Sequence, residues 1–187
     1  MKVLLTAINA KYIHTNLAIY CLKAYAKEYK EQIKLSEYTI NHHTDDILQG
    51  IYKEKPDIIG FSCYIWNIAM INELCVELRK VLPHTKIWLG GPEVSFDVEK
   101  RLKENAHIDG ILIGEGEISF KELLDYYIGE KRNLYDVKGI AFKNSALLDG
   151  DIPLKEEIII TSFRPEMNLS DLMIDFYIFQ HHNLLFA

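Results

Sequence analysis

Cysteine is scarce in this chain. Cys21, Cys63 and Cys75 are too few and too scattered for a disulfide framework. No Cys-x-x-Cys or Cys/His pairing has the spacing of a zinc site. An odd count without a framework suits a reducing compartment, so the expected location is the cytoplasm. Basic blocks are absent too. The net charge is -6 and no Lys/Arg-rich run stands out, which argues against a nucleic-acid surface. No apolar run is long enough to span a bilayer, so no membrane partner is expected. Residues 1–5 resemble the start of a secretion signal, but the apolar stretch is too short and runs into Asn9, Lys11 and His14. There is no internal repeat and no low-complexity segment.

What is present is ordinary globular material: 187 residues, 49% hydrophobic and 26% charged. That supports one good core and a small appendage. Apolar runs at residues 2–8, 33–40, 57–63, 86–89 and 109–113 read as strands, the first of them covered on both faces. Helical patterns separate them. One carries Leu17, Cys21 and Ala24 and starts at Thr15 or Asn16. A second is capped by Thr44, a third by Asn67, a fourth begins near Ser95, and a fifth covers residues 117–128. Alternating strands and helices predict an α/β fold: a Rossmann-like, doubly wound, five-stranded parallel sheet in the flavodoxin-like order 2-1-3-4-5. After Gly129 the rhythm changes. Residues 139–143 and 146–148 read as a hairpin or edge addition, and residues 158–161 as another short strand. The expected division is a binding domain over 1–130, a β extension over 131–163, and a linker or tail over 164–187. That tail is apolar enough to need burial, which leaves a homodimer through it open.

Four loops follow the predicted strands, and ligand sites in such sheets lie at the carboxyl ends of the strands. The first loop holds Asn9, Tyr12, His14 and Thr15. The second holds Ser62, Tyr64, Trp66 and Asn67: a hydroxyl, two flat rings with polar tips, and a carboxamide. The third is Gly90, Gly91, Pro92 and Glu93, where the paired glycines let a backbone approach a ligand closely. The fourth is Gly114, Glu115, Gly116 and Glu117. It lacks the third glycine of a dinucleotide loop, since Ser119 stands there, and its acids would repel a phosphate. Glu115 suits a neutral ligand with amide or hydroxyl donors, while Glu117 suits a helix N-terminus. A lone histidine such as His14 is more often structural than ligating. The pairs His42-His43 and His181-His182 diverge and make no metal site. No nucleophile–base set emerges, so no catalytic residue and no metal ligand is assigned. A phosphoacceptor receiver would need acids after strands one and three, and a flavodoxin would need a Ser/Thr/Gly-rich phosphate loop. The chain has neither.

Taken together, residues 10–17, 60–67, 90–93 and 113–117 resemble the N-terminal cobalamin (B12)-binding domain of B12-dependent radical S-adenosylmethionine proteins. These include relatives of the anaerobic magnesium-protoporphyrin monomethyl ester oxidative cyclase. The likeness covers about residues 1–142 and rests on the combination of loops. It implies cobalamin as the cofactor, with the corrin over the carboxyl ends of the strands and the nucleotide tail beside the sheet. By position, Ser62 and Tyr64 would meet the tail or the lower corrin face, Gly90 and Gly91 would leave room for the tail, and residues 114–117 would line the far side.

Two departures shape the expectation. The Asp-x-His-x-x-Gly motif, whose histidine ligates cobalt in many such domains, is absent around His14, where Tyr12 and Leu17 occupy the flanking positions. A base-off cobalamin without a protein histidine is therefore expected. The Cys-x-x-x-Cys-x-x-Cys of the radical half is also absent, since no cysteine follows Cys75. A 4Fe-4S cluster and S-adenosylmethionine would belong to a missing downstream domain. The chain reads as a cofactor module, inactive alone, of an enzyme that transfers a methyl group or assists a redox step. The competing expectations are a self-contained small-molecule enzyme using His14, Glu93 and Glu115, and a cofactor-free assembly domain.

Overall fold

The computed structural model of the chain describes residues 1–10, 16–129, 133–151 and 157–165. The expectations resting on Tyr12, His14 and Thr15, and on the apolar tail beyond residue 165, lie outside them. Among the described residues, no helix is long and apolar enough to cross a membrane.

The parallel part of the sheet comprises β1 (Val3–Asn9), β2 (Ile33–Thr39), β3 (Ile58–Ser62), β4 (Lys86–Gly90) and β5 (Gly110–Leu112). Their order is β2-β1-β3-β4-β5, as the alternation predicts. The sheet then continues to seven strands rather than five. β6 (Ile140–Lys143) pairs antiparallel with β5, and β7 (Ile158–Ile160) pairs antiparallel with β6. The reason is local. β5 has only three residues, and its outer edge needs partners for its backbone groups. Ile113 N donates to Gly139 O and Lys143 N to Asp109 O, which locks β6 beside it. The expected strand at 146–148 does not form. Residues Asn144–Ala146 make a 3-10 turn, and β7 is the hairpin partner of β6.

Helices α1 (Leu17–Tyr25) and α5 (Glu117–Tyr127) cover one face of the sheet, while α2 (Thr44–Glu54), α3 (Ile68–Val81) and α4 (Val98–Glu104) cover the other. Each interior strand therefore sends alternate residues into one of two apolar clusters. Val3, Leu5 and Ala7 face α1 and α5, and Leu4 and Ile8 face α2 and α3. α2 buries Ile47 and Ile51, and α3 buries Ile71, Leu74, Cys75 and Leu78, at the spacings expected of one helical face.

Three helix starts differ from expectation. Thr44 is the first helical residue and His43 stands at the cap position. Asn67 stands at the cap position of α3 but makes no capping bond, because its side chain is used elsewhere. α4 begins at Val98. A 3-10 turn over Pro92–Val94 and a left-handed Asp97, with φ 50°, interrupt the helix expected from Ser95.

The far end of β4 and β5 is held by Asp109. This buried carboxylate accepts from Arg79 Nη2, Ile87 N and Ser145 Oγ, each at 2.7 Å. Above it, Trp88 lies over Gly110 and donates through Nε1 to the Tyr127 hydroxyl at 3.2 Å. A Cβ at Gly110 would sit 2.4 Å from the indole. Gly110→Ala is therefore expected to destabilise the fold by about 1–3 kcal/mol, the range for overpacking a core. Chemical denaturation measures this, and an unchanged midpoint would show that the indole can move aside.

Candidate functional site

The carboxyl ends of β1, β3, β4 and β5 meet at one rim, and the Asn67 side chain joins the first two. Its Oδ1 accepts from Tyr64 N at 2.8 Å, and its Nδ2 donates to Ile8 O and to Ser62 O, both at 2.9 Å. Fully buried, this amide bonds three backbone groups, two of them buried with it. It fixes the end of β1 against the loop that follows β3.

Beyond β1, Glu37 does related work from the end of β2. Oε1 accepts from Asn9 Nδ2 at 3.2 Å and from Asn16 N at 2.8 Å, and Oε2 accepts from the Tyr20 hydroxyl at 3.0 Å. The carboxylate thus ties together the two ends of the first loop. Asn16, at the cap position of α1, makes no capping bond and instead accepts from Ser62 Oγ at 3.5 Å. The candidates chosen from sequence omit Glu37 and Asn16. The available signal is that Glu37 is the only acid in β2, placed where that strand reaches the rim.

The third and fourth loops are also joined. Gly91 adopts φ 112°, and a Cβ there would stand 2.5 Å from Cys63 O, so no other residue fits this turn. Cys63 N donates to Gly90 O at 2.7 Å. Ser95 Oγ donates to Gly91 O at 2.9 Å and accepts from Gly114 N at 3.1 Å.

Between the sheet and the pair α1/α5 a cleft of about 570 Å³ opens onto this rim, a size typical of small-molecule sites. Its origin lies in the strand register. One row across the α1/α5 face reads Leu5, Gly60, Trp88, Gly110, and the next row toward the rim reads Ala7, Ser62, Gly90, Leu112. Small residues over β3 and β4 leave the space. Ile19 and Leu22 of α1 and Phe120 and Leu123 of α5 wall it. At Gly90 an added Cβ would meet nothing nearer than Leu112 Cβ at 3.7 Å, and at Gly114 nothing within 4 Å. Packing does not demand glycine at Gly90, so the room it leaves is available to a ligand; Gly114 has its own backbone reason, a φ of 72°.

The cleft gathers Ser62, Tyr64, Gly90, Gly91, Pro92, Gly114, Glu115, Gly116 and Glu117 from the expected set. Trp66 and Glu93 instead line a second, more open cavity of about 820 Å³ on the α3/α4 side, which Tyr64 and Pro92 share. Trp66 is 46% exposed and stacks on Tyr64, with ring centroids 4.5 Å apart and planes at 6°. Asn9 and Asn67 line neither cavity and act as braces. Glu93 and Glu115 thus line different, adjoining spaces, which share Tyr64, Pro92 and Phe96.

The chemistry of the described cleft is that of holding rather than attacking. Burial pushes the Cys63 thiol far above its usual range and the Cys75 thiol up to about 12. Burial, then the Glu117 carboxylate, raises Cys21. None is poised as a thiolate. Among the described residues no histidine lines the cleft, and no cluster of three or more His, Cys, Asp or Glu side chains could hold a metal ion.

A model of the B12 binding domain matches residues 3–124. The chain is 29% identical over 108 residues to the uncharacterized methyltransferase PH0819 of Pyrococcus horikoshii, covering 58% of this chain and 23% of that protein. It is 26% identical over 89 residues to the cobalamin-dependent radical SAM methyltransferase TokK of Streptomyces tokunonensis, covering 48% and 13%. To the anaerobic magnesium-protoporphyrin IX monomethyl ester cyclase of Cereibacter sphaeroides it is 29% identical over 144 residues, covering 71% and 22%. These matches span no more than about a quarter of the curated relatives. The structure of the cobalamin-dependent S-adenosylmethionine radical enzyme OxsB, with aqua-cobalamin and S-adenosylmethionine bound, superposes with a TM-score of 0.64 at 16% identity. The likeness covers 88% of this chain and 22% of that one, and it establishes the fold.

Removing the Asn67 amide would take a partner from two buried backbone carbonyls and one half-buried N–H. Asn67→Ala is expected to cost about 3 kcal/mol of stability, from penalties of roughly 1–3 kcal/mol per unsatisfied group that do not fully add. Equilibrium denaturation checks this, and a loss well under 1 kcal/mol would mean that the rim does not depend on this side chain.

Proposed function

The chain belongs to the B12-binding domain family, and from that premise we propose that it holds cobalamin across the carboxyl rim, with the nucleotide tail in the cleft between the sheet and α1/α5. The observation that carries this reading is the set Gly60, Ser62 and Gly90 on the neighbouring strands β3 and β4, whose small side chains open the sheet face directly beneath the rim. The residues present fit the group. A flat base finds apolar walls in Ile19, Leu22 and Phe120. The sugar and phosphate finds the Ser62 hydroxyl and the space over Gly90. The amide-bearing corrin edge finds the carboxylates of Glu115 and Glu117, with Tyr64 and Pro92 beside it. In this assignment Asn9, Asn67 and Glu37 hold the loops, while Trp66 and Glu93 stand at the outer margin. Tyr12, His14 and Thr15 complete the first loop.

Bound cobalamin supplies a cobalt centre that carries a methyl group or changes oxidation state. The residues of this chain position it and limit its contact with water. We assign no protein histidine to cobalt, since the Asp-x-His-x-x-Gly motif is absent; the bound form is base-off. Residues 1–130 form the binding unit, 131–163 its extension and 164–187 a linker or tail that starts from Arg164, packed on α5. The module serves a larger radical S-adenosylmethionine enzyme performing methyl transfer or a redox step in the cytoplasm. Its iron–sulfur cluster and S-adenosylmethionine are held by a C-terminal domain that brings the cysteines this sequence lacks. The names of the curated relatives support this setting and fix no substrate.

Titration of the purified chain with hydroxocobalamin is expected to give a saturable change in the visible spectrum with a Kd of tens of micromolar or tighter, about -6 kcal/mol or better. An unchanged spectrum across that range contradicts the reading. In the same assay His14→Ala is expected to leave the bound spectrum unchanged. A shift of the cobalt bands in that variant would place His14 on the metal.

A further inference from the structure

One stretch of chain outside the four loops also borders the cleft. After β7, residues 161–165 cross the rim, and Phe163, Arg164 and Pro165 line the cleft. The stretch lies beyond the region matched by the family model, residues 3–124. Its course is held by backbone and side-chain bonds together. Thr161 N donates to Ile140 O at 3.0 Å, and Gly139 N donates to Ser162 O at 2.9 Å. The Arg164 guanidinium then turns inward onto α5. Nε donates to Ser119 Oγ at 3.3 Å, and Nη2 forms an ion pair with Glu122 and approaches Lys138 O at 3.4 Å. The Arg164 and Glu122 side chains are only 15% and 12% exposed, so this is a largely buried, hydrogen-bonded pair. Beside it Phe163 is 74% exposed. The fold secures the residue next to this ring and leaves the ring itself at the mouth of an apolar cleft, with little of its own chain to pack on.

Building on the cobalamin reading, we propose that residues 161–165 are a fifth wall of the site, in which Phe163 covers the nucleotide tail of the corrinoid and Arg164 is the residue that positions it. The tail ends in a flat heteroaromatic base, and an aromatic side chain is suited to shield such a surface from water. The Arg164–Glu122 pair fixes the ring's neighbour to α5, the same helix whose Phe120 and Leu123 wall the cleft. Ordering of the wall is thereby complete before the ligand arrives.

The test uses the full chain and two probes: hydroxocobalamin, and cobinamide, the corrinoid that lacks the nucleotide tail. The dissociation constants are measured for wild type, Phe163→Ala and Arg164→Ala. Phe163→Ala is expected to weaken hydroxocobalamin about tenfold and to leave cobinamide unchanged. Phe163 is exposed in the free chain, so its truncation leaves the fold's packing intact. Arg164→Ala is expected to show the same selectivity, whereas a purely structural role would weaken both probes alike. Equal losses on the two probes, or unchanged hydroxocobalamin binding in Phe163→Ala, overturn the fifth wall and leave the cobalamin reading standing. A wild-type chain that binds neither corrinoid overturns both.

Discussion

The Asn67 carboxamide ties the end of β1 to the loop that leaves β3, and the rest of the site depends on that tie. β1 and β3 are neighbours at the point where the strand order reverses, so their connections diverge and leave a crevice between them. A crevice lined by backbone needs partners for its polar groups. Asn67 supplies them to Ile8, Ser62 and Tyr64 from one planar group. With those ends fixed, Ser62 can meet Gly90 in register, and Gly91 can fold against Cys63. Ser95 then carries the order on to Gly114. The four loops are in this sense one hydrogen-bonded assembly.

Much of the fold is legible in the sequence because parallel strands buried on both faces read as apolar runs and their crossovers read as periodic helices. What escapes is what depends on distant partners. An asparagine before a helix reads as a cap, yet the partner that redefines Asn67 is the Ile8 carbonyl, 59 residues away. Glu37 reads as one surface acid among 27 acidic residues until β2 brings it beside Asn9 and Asn16. Trp66 reads as a ligand wall from its loop position. Stacking on Tyr64 turns it toward the outer groove instead. The last two strands are legible as short apolar runs, but their antiparallel pairing onto the edge of β5 depends on partners outside the alternating rhythm.

The cleft was not legible as a shape, only as a rim. Its depth comes from the coincidence of small residues on the adjacent strands β3 and β4, which appears once the register is known. That register also explains why the described site has so little intrinsic reactivity. The nearby thiols are raised by burial and do not line it, its neighbouring acids are divided between two cavities, and among the described residues no histidine lines it. A scaffold of this kind holds a cofactor that brings its own chemistry.

The central claim is that one ligand lies on the rim and reaches down the α1/α5 face. Its most direct test follows glycine amide resonances as aquacobalamin is added to isotope-labelled protein. The account predicts shifts at Gly60, Gly90, Gly91, Gly114 and Gly116, with Gly50 in α2 and Gly129 beyond the far end of α5 unmoved. Shifts centred on Gly50 or Gly129, or an unperturbed Gly60 and Gly90 in a saturated complex, would contradict it.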